Sequence, residues 1–196
     1  AVGLIISLYL TWLQGLPVLI FSILGVLFGV FYTADPVKLK HHSVGEISVF
    51  LAFGPLMVGG VFYAITGVFS WDPLLASIPI GLLVSLVLLA NNIRDKEYDA
   101  GFGISTIATG VEESKGILYY KSLLASAYIA TIVLILFRVL SPFAFMSFLS
   151  VFEALSIVRG FGSKIPMTAD QQTAQLALHF GIFLTIGEMV SLLPFF

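Results

Sequence analysis

Seven stretches of nearly unbroken apolar sequence, set apart by short polar loops, constrain this chain more than any single residue does. A bilayer core about 30 Å thick takes roughly 20 apolar residues in a helix that rises 1.5 Å per residue. By that measure the spans run from Ala1 to Leu13, Pro17 to Thr33, Glu46 to Phe69, Pro73 to Asn91, Gly116 to Arg138, Pro142 to Val158 and Ala174 to Leu193. The first reaches only ~20 Å, short of a full crossing. Asp72-Pro73, Ser141-Pro142 and Gly15-Leu16-Pro17 place proline near helix starts, where a missing N–H is harmless. Backbone groups in hydrocarbon must pair within their own segment, so spans of this kind fold as helices. The expected fold class is all-α, a polytopic transmembrane helix bundle forming one membrane-embedded domain over residues 1–196.

Composition closes off the alternatives. The chain is 59% hydrophobic and 10% charged, with a mean hydropathy of +1.07, whereas a soluble domain carries roughly 25% charged residues. Cysteine is absent and the formal net charge is -2. That leaves no material for disulfides, thiol chemistry or a basic face that binds nucleic acid. The lipid bilayer is the partner that composition requires.

The loops differ sharply in charge. Lys38, Lys40, Arg94, Lys96, Lys115, Lys121, Arg159 and Lys164, eight of the nine basic residues, fall at one end of the spans, and only Arg138 falls at the other. Trp12 and Trp71 also fall at that other end, as interfacial anchors do. The positive-inside rule makes the charged loops cytoplasmic and the protein integral to the cytoplasmic (plasma) membrane, with any site on those loops facing the cytoplasm.

The stretch Asn91-Asn92-Ile93-Arg94-Asp95-Lys96-Glu97-Tyr98-Asp99 continues the fourth span at that end. On a continuous helix Asn91, Asp95 and Asp99 stand at i, i+4 and i+8, and Asn92, Asp95 and Asp99 at i, i+3 and i+7. Oxygens on one face suit a hard cation such as Mg²⁺, which takes one or two carboxylates and completes its shell with water and substrate phosphate. A solvated, charged helix end fits the same spacing. On the loop from Tyr32 to Glu46, lysines such as Lys40 can neutralise a diphosphate as point charges, or serve topology alone. His41 and His42 have no third ligand nearby, and Gly101 to Gly110 lacks the Lys-Ser or Lys-Thr of a phosphate-binding loop.

Carboxylates within apolar spans are costly unless they meet water or a partner. Glu153 lies near the cytoplasmic end of its span, compatible with a cavity wall. Glu188 lies toward the far side, where a structural role is expected. Gln172, Gln175 and His179 share one stripe of the last span, compatible with a cavity wall or with helix packing. Pro55, in Phe53-Gly54-Pro55, is expected to kink the third span.

Three pieces of sequence resemble the UbiA superfamily of intramembrane aromatic prenyltransferases, and within it the menaquinone branch. They are Asn91-Asn92-Ile93-Arg94-Asp95 with Asp99, similar to the second Asp-rich motif; Tyr32-Thr33 through Lys40 to Gly45-Glu46, followed by Phe53-Gly54-Pro55; and Thr173-Ala174-Gln175 leading to Phe180-Gly181. The resemblance implies a cytoplasm-facing cavity in which Mg²⁺ bridges Asp-rich motifs to the diphosphate of a polyprenyl donor. Ionisation gives an allylic cation that an aromatic acceptor, most simply 1,4-dihydroxy-2-naphthoate, attacks. By motif match, Asp95 and Asp99 are catalytic and, with Asn92, hold the metal. Asn91, Asn92, Lys40 and Arg94 contact the diphosphate, and Tyr32 and Glu153 lie near the aromatic substrate.

Two departures accompany the resemblance. The family has nine helices and a first Asp-rich motif after its second helix; the seven spans here align with its third to ninth, and that motif does not occur in this sequence. The simplest expectation is a piece of a longer chain, inactive in isolation. After Asp99 the family shows Gly-Lys followed by a basic residue and Thr, where this chain has Gly103-Ile104-Ser105-Thr106. A prenyltransferase acting on another aromatic or isoprenoid acceptor, and a non-catalytic seven-helix membrane protein or transporter, remain as alternatives, and oligomeric state is not legible.

Overall fold

The computed structural model describes residues 2–193; Ala1, assigned above to the first span, lies outside them. The chain order is α1 (Val2–Gln14), α2 (Leu16–Thr33), α3 (Gly45–Leu51), a π-helical turn (Ala52–Leu56), α4 (Met57–Thr66), α5 (Trp71–Ala76), α6 (Ile78–Arg94), α7 (Lys96–Gly101), α8 (Glu113–Leu136), a 3₁₀ helix (Pro142–Ser150), α9 (Val151–Arg159) and α10 (Ala169–Ser191). No strand occurs among the described residues.

Among the described residues, six units are long and apolar enough to cross a membrane: Leu16–Thr33, Gly45–Thr66, Trp71–Arg94, Glu113–Leu136, Pro142–Arg159 and Ala169–Ser191. The seventh expected span is the shorter helix α1. Large apolar side chains cover the outside. None of the residues of α1 is buried and only Val18 of α2 is, which is how helices bathed in lipid differ from helices in water. Trp12 and Trp71 are exposed, at the end away from the charged loops.

The core forms where α6, α8 and α10 meet. Leu83, Leu86 and Ala90 of α6 pack with Tyr120 of α8 and Leu176 and Phe180 of α10, all fully buried. Polar groups inside this layer find partners: the Tyr120 hydroxyl meets Thr173 Oγ1 at 2.7 Å and the Tyr128 hydroxyl meets Ser150 Oγ at 2.8 Å. A hydroxyl left unpaired there would lose hydrogen bonds to water with no replacement.

Several spans are interrupted for identifiable reasons. Pro55 has no N–H to give, and the third span widens into the π-helical turn, with Gly54 at φ -91° and ψ -105°. Gly54 and Gly81 face each other here; a Cβ on Gly81 would come within 3.1 Å of the Gly54 Cα, so the two helices touch backbone to backbone. The sixth span begins as nine residues of 3₁₀ helix, in which Ser147 and Ser150 hydroxyls donate to carbonyls three residues back. Gly187 of α10 packs directly on the Phe143 carbonyl of that segment. Glu188 Oε1 beside it accepts from the Ser141 backbone N–H at 3.0 Å, the structural role expected of it.

Several boundaries move, most of all in the fifth and seventh spans. Helix α8 starts at Glu113, ahead of the predicted Gly116, and stops at Leu136 because Arg138 turns left-handed at φ 60°. Helix α10 starts at Ala169, five residues ahead of the predicted Ala174, which puts Asp170 in its first turn.

Candidate functional site

Two faces of α6 carry two separate polar clusters at its charged end. Ser85 and Asn92, seven residues apart, face α3; Asn91, Arg94 and Asp95, at i, i+3 and i+4, face α10. Helical hydrogen bonding continues past the end of α6, with Asp95 N bonded to Asn91 O and Asp99 N bonded to Asp95 O, each at 2.9 Å. Asp95 itself adopts φ -92° and ψ 5°, a single bent residue between α6 and α7. Asn91, Asp95 and Asp99 therefore remain stacked turn on turn, as the spacing predicts.

Toward α10, Arg94 is gripped from three sides. Its Nε and Nη2 donate to the two oxygens of Asp95 at 2.7 and 2.8 Å, Nη2 also donates to Asn91 Oδ1 at 2.7 Å, and Nη1 meets Asp170 Oδ2 at 2.6 Å. Four of the contacts a guanidinium fork can make are thus taken. Both residues of the Arg94–Asp170 pair are mostly withdrawn from solvent, and Asp170 Oδ1 is buried without a partner. The Arg94 hydrogen bonds hold Asp95 below the usual carboxylate range. Burial and the neighbouring charge of Asp95 push Asp99 up, partly offset by His41 and Lys40.

Lys40 and His41 reach this group from the 3₁₀ turn Leu39–His41, which the Ser105 N–H ties to the loop after α7 through the His41 carbonyl at 3.3 Å. The same end is pinned by Lys96, which donates to the Val111 carbonyl at 2.6 Å, and by Glu113, which accepts from the Ile165 N–H at 3.3 Å. Arg94, Asn91, Asp95 and Asp99 thus sit between two loops fixed to the bundle.

Toward α3, Asn92 Nδ2 donates to Glu46 Oε1 at 2.9 Å and the Ser85 hydroxyl donates to the Glu46 carbonyl at 2.8 Å. Glu46 and Asn92 are 5% and 6% exposed, and Glu46 Oε2 has no partner. The Asn92 amide N–H is thus committed to Glu46, on the α3 side of α6.

Two clefts open beside these clusters. One, of about 980 Å³, runs between α6 and α10 from Asn91 and Asp170 inward past Val84, Leu178 and Ile182. The other, of about 630 Å³, lies among α1, α2 and the α3–α4 span, with Tyr32 and Ser48 among its lining residues. Tyr32 therefore belongs to the second cleft and not to the Asn91–Asp95 face. Glu153 lines neither; its Oε2 lies 2.7 Å from His179 Nδ1. Sequence reading missed Asp170 and gave Glu46 no role. For Asp170 the signal was a lone acid just ahead of the last span, at the end where cations gather; for Glu46 it was a carboxylate opening an apolar run.

The donor set is compatible with a hard divalent cation in one specific sense. Asp95 and Asp99 stack one turn apart, and Asp99 is electrostatically disfavoured as a carboxylate, a penalty a cation would relieve. Among the described residues no three His, Cys, Asp or Glu gather as a complete cage. Mg²⁺ needs only such a half-site when phosphate oxygens supply the rest.

The sequence profile of the UbiA prenyltransferase family matches residues 1–187, and the chain belongs to that family. It is 29% identical over 194 residues to 1,4-dihydroxy-2-naphthoate octaprenyltransferase of Bacillus subtilis, covering 97% of this chain and 62% of that protein. It is 38% identical over 106 residues to the protein of the same name from Haemophilus influenzae, covering 54% of this chain and 34% of that one. It is 29% identical over 167 residues to human UbiA prenyltransferase domain-containing protein 1, covering 85% and 49%. The chain thus spans between about a third and three fifths of the length of these relatives. No solved structure matches it.

Proposed function

We propose that this chain forms the greater part of a site that transfers a polyprenyl group from polyprenyl diphosphate to an aromatic acceptor, 1,4-dihydroxy-2-naphthoate, in menaquinone biosynthesis. The observation that carries the reading is the Asn91–Arg94–Asp95–Asp99 face at the mouth of an apolar cleft, in a chain of this family. An anionic headgroup and a hydrocarbon tail need such a junction of charge and apolar wall. Similarity to two naphthoate octaprenyltransferases supports the choice of acceptor.

In this reading Asp95 and Asp99 hold Mg²⁺, and Asn91, Arg94 and Lys40 contact the diphosphate. Bound Mg²⁺ supplies a Lewis acid that offsets charge developing on the departing diphosphate. Arg94 adds directional N–H donors, and exposed Lys40 adds a point charge at the entrance. Val84, Leu178 and Ile182 line the cleft with hydrocarbon, which keeps water from the reacting carbon. Tyr32, in the second cleft, and Glu153, paired with His179, lie apart from this face, and neither is assigned a contact with the acceptor. The eight basic residues at this end support a cytoplasmic orientation in the plasma membrane.

The test is a chimera in which these 196 residues replace the matching part of the Bacillus subtilis relative. Menaquinone precursor formation from a polyprenyl diphosphate and 1,4-dihydroxy-2-naphthoate is expected, with loss of at least 100-fold on Asp95→Ala, the scale of electrostatic stabilisation by one group. A folded chimera that prenylates nothing, or one in which Asp95→Ala is as active as the parent, contradicts the proposal.

A further inference from the structure

The grip on Arg94 raises a difficulty for a group meant to contact diphosphate: both oxygens of Asp95 already receive its N–H groups, and a third partner, Asn91, shares Nη2. Little of the fork is left for a ligand. A divalent cation on Asp95 would also sit beside the guanidinium, and like charges on one carboxylate repel. Arg94 has one further anchor, Asp170 on α10, which approaches from the opposite side through Nη1 at 2.6 Å. Asp170 also lines the cleft next to Asn91.

We propose that Arg94 is an internal counter-cation: it occupies Asp95 while metal and diphosphate are away, and it swings off Asp95 when they arrive, held by Asp170 so that its freed N–H groups face the diphosphate. This rests on the function proposed above. Asp170 is then a positioning residue that acts through Arg94 and touches neither substrate nor metal. The exchange keeps the charge at the mouth balanced: Asp95 and Asp170 share one guanidinium before the cation binds, and the cation then takes over Asp95 while Arg94 stays paired with Asp170. It also couples metal to diphosphate, because the diphosphate supplies the new acceptors that make release of Asp95 favourable.

The test uses the 196-residue chain in nanodiscs, alone and within the Bacillus subtilis chimera, with Mn²⁺ binding followed by electron paramagnetic resonance, with and without inorganic pyrophosphate. Arg94→Lys keeps the charge but cannot grip both oxygens of Asp95. The expected result is that Arg94→Lys binds Mn²⁺ alone at least tenfold more tightly than wild type, and that pyrophosphate closes most of that gap. Asp170→Asn is expected to weaken the pyrophosphate-dependent gain at least fivefold in the wild-type background and to have no such effect in Arg94→Lys. A merely structural role for either residue does not tighten metal binding.

If wild type and Arg94→Lys bind Mn²⁺ equally, or if the Asp170→Asn penalty persists in full beside Arg94→Lys, the exchange is wrong while the metal site stands. If no variant binds Mn²⁺ with or without pyrophosphate, in the isolated chain and in the Bacillus subtilis chimera alike, the proposed function falls and the exchange falls with it.

Discussion

Arg94 Nη1 and Asp170 Oδ2 lie 2.6 Å apart and join α6 to α10 at the mouth of the larger cleft. The pair is mostly shielded from solvent, and its guanidinium is committed to Asp95 and Asn91 as well. Replacing Arg94 by Ala leaves two carboxylates facing each other without a cation. The variant is expected to lose about 2–4 kcal/mol of stability, between an exposed and a fully buried pair, and Asp170→Asn less. Reversible unfolding in mixed micelles checks the order.

Asp95 and Asp99 shift in opposite directions, and the consequences for stability have opposite signs. Asp95 is held low, so its contribution is present above its unfolded value of about 3.9 and is lost as pH falls through its depressed native value. Asp99 is held high, so a penalty on the native state builds as pH rises from the unfolded value towards the raised native one and is fully present above it. At neutral pH, Asp95→Asn is expected to destabilise and Asp99→Asn to stabilise, the latter by under about 1 kcal/mol for a partly solvated group. Thermal unfolding at pH 7 reads both signs.

The Glu46–Asn92 bond predicts an asymmetry. Asn92→Ala leaves the Glu46 carboxylate buried with neither oxygen partnered by a side chain, whereas Glu46→Gln keeps an acceptor for Asn92. A loss of about 1–3 kcal/mol is expected for Asn92→Ala and less for Glu46→Gln, measured by denaturant unfolding.

Backbone packing predicts where small residues are required. A Cβ on Gly187 would collide with the Phe143 carbonyl, and backbone cannot step aside cheaply, while one on Gly110 meets nothing within 4 Å. Gly187→Ala is expected to cost about 1–3 kcal/mol and Gly110→Ala to stay within about 0.5 kcal/mol. Comparing the two unfolding midpoints tests the close approach of α10 to the 3₁₀ segment.

These contrasts show what the sequence made legible. Spans declare themselves by length and hydropathy, and the stacking of Asn91, Asp95 and Asp99 follows from local helical spacing, so both were readable from residue order alone. The kink at Pro55 was readable because proline lacks an N–H, though its π-helical form was not. Asp170 was hidden because its partner lies on another helix and because α10 begins earlier than its apolar pattern. Glu46 was hidden for a similar reason: Asn92, 46 residues away, gives it meaning only after α3 packs on α6. The separation of Tyr32 from the Arg94 face likewise depends on packing of α2, which no spacing rule encodes.

In the proposed function, the charged end of the bundle binds a prenyl diphosphate through a divalent cation held by Asp95 and Asp99. Equilibrium binding of a labelled polyprenyl diphosphate to the chain in nanodiscs, with Mg²⁺ or with excess chelator, tests it most directly. Mg²⁺-dependent binding that weakens at least tenfold in Asp95→Ala and in Asp99→Ala is expected. Binding that is unchanged by chelator and by both substitutions contradicts it.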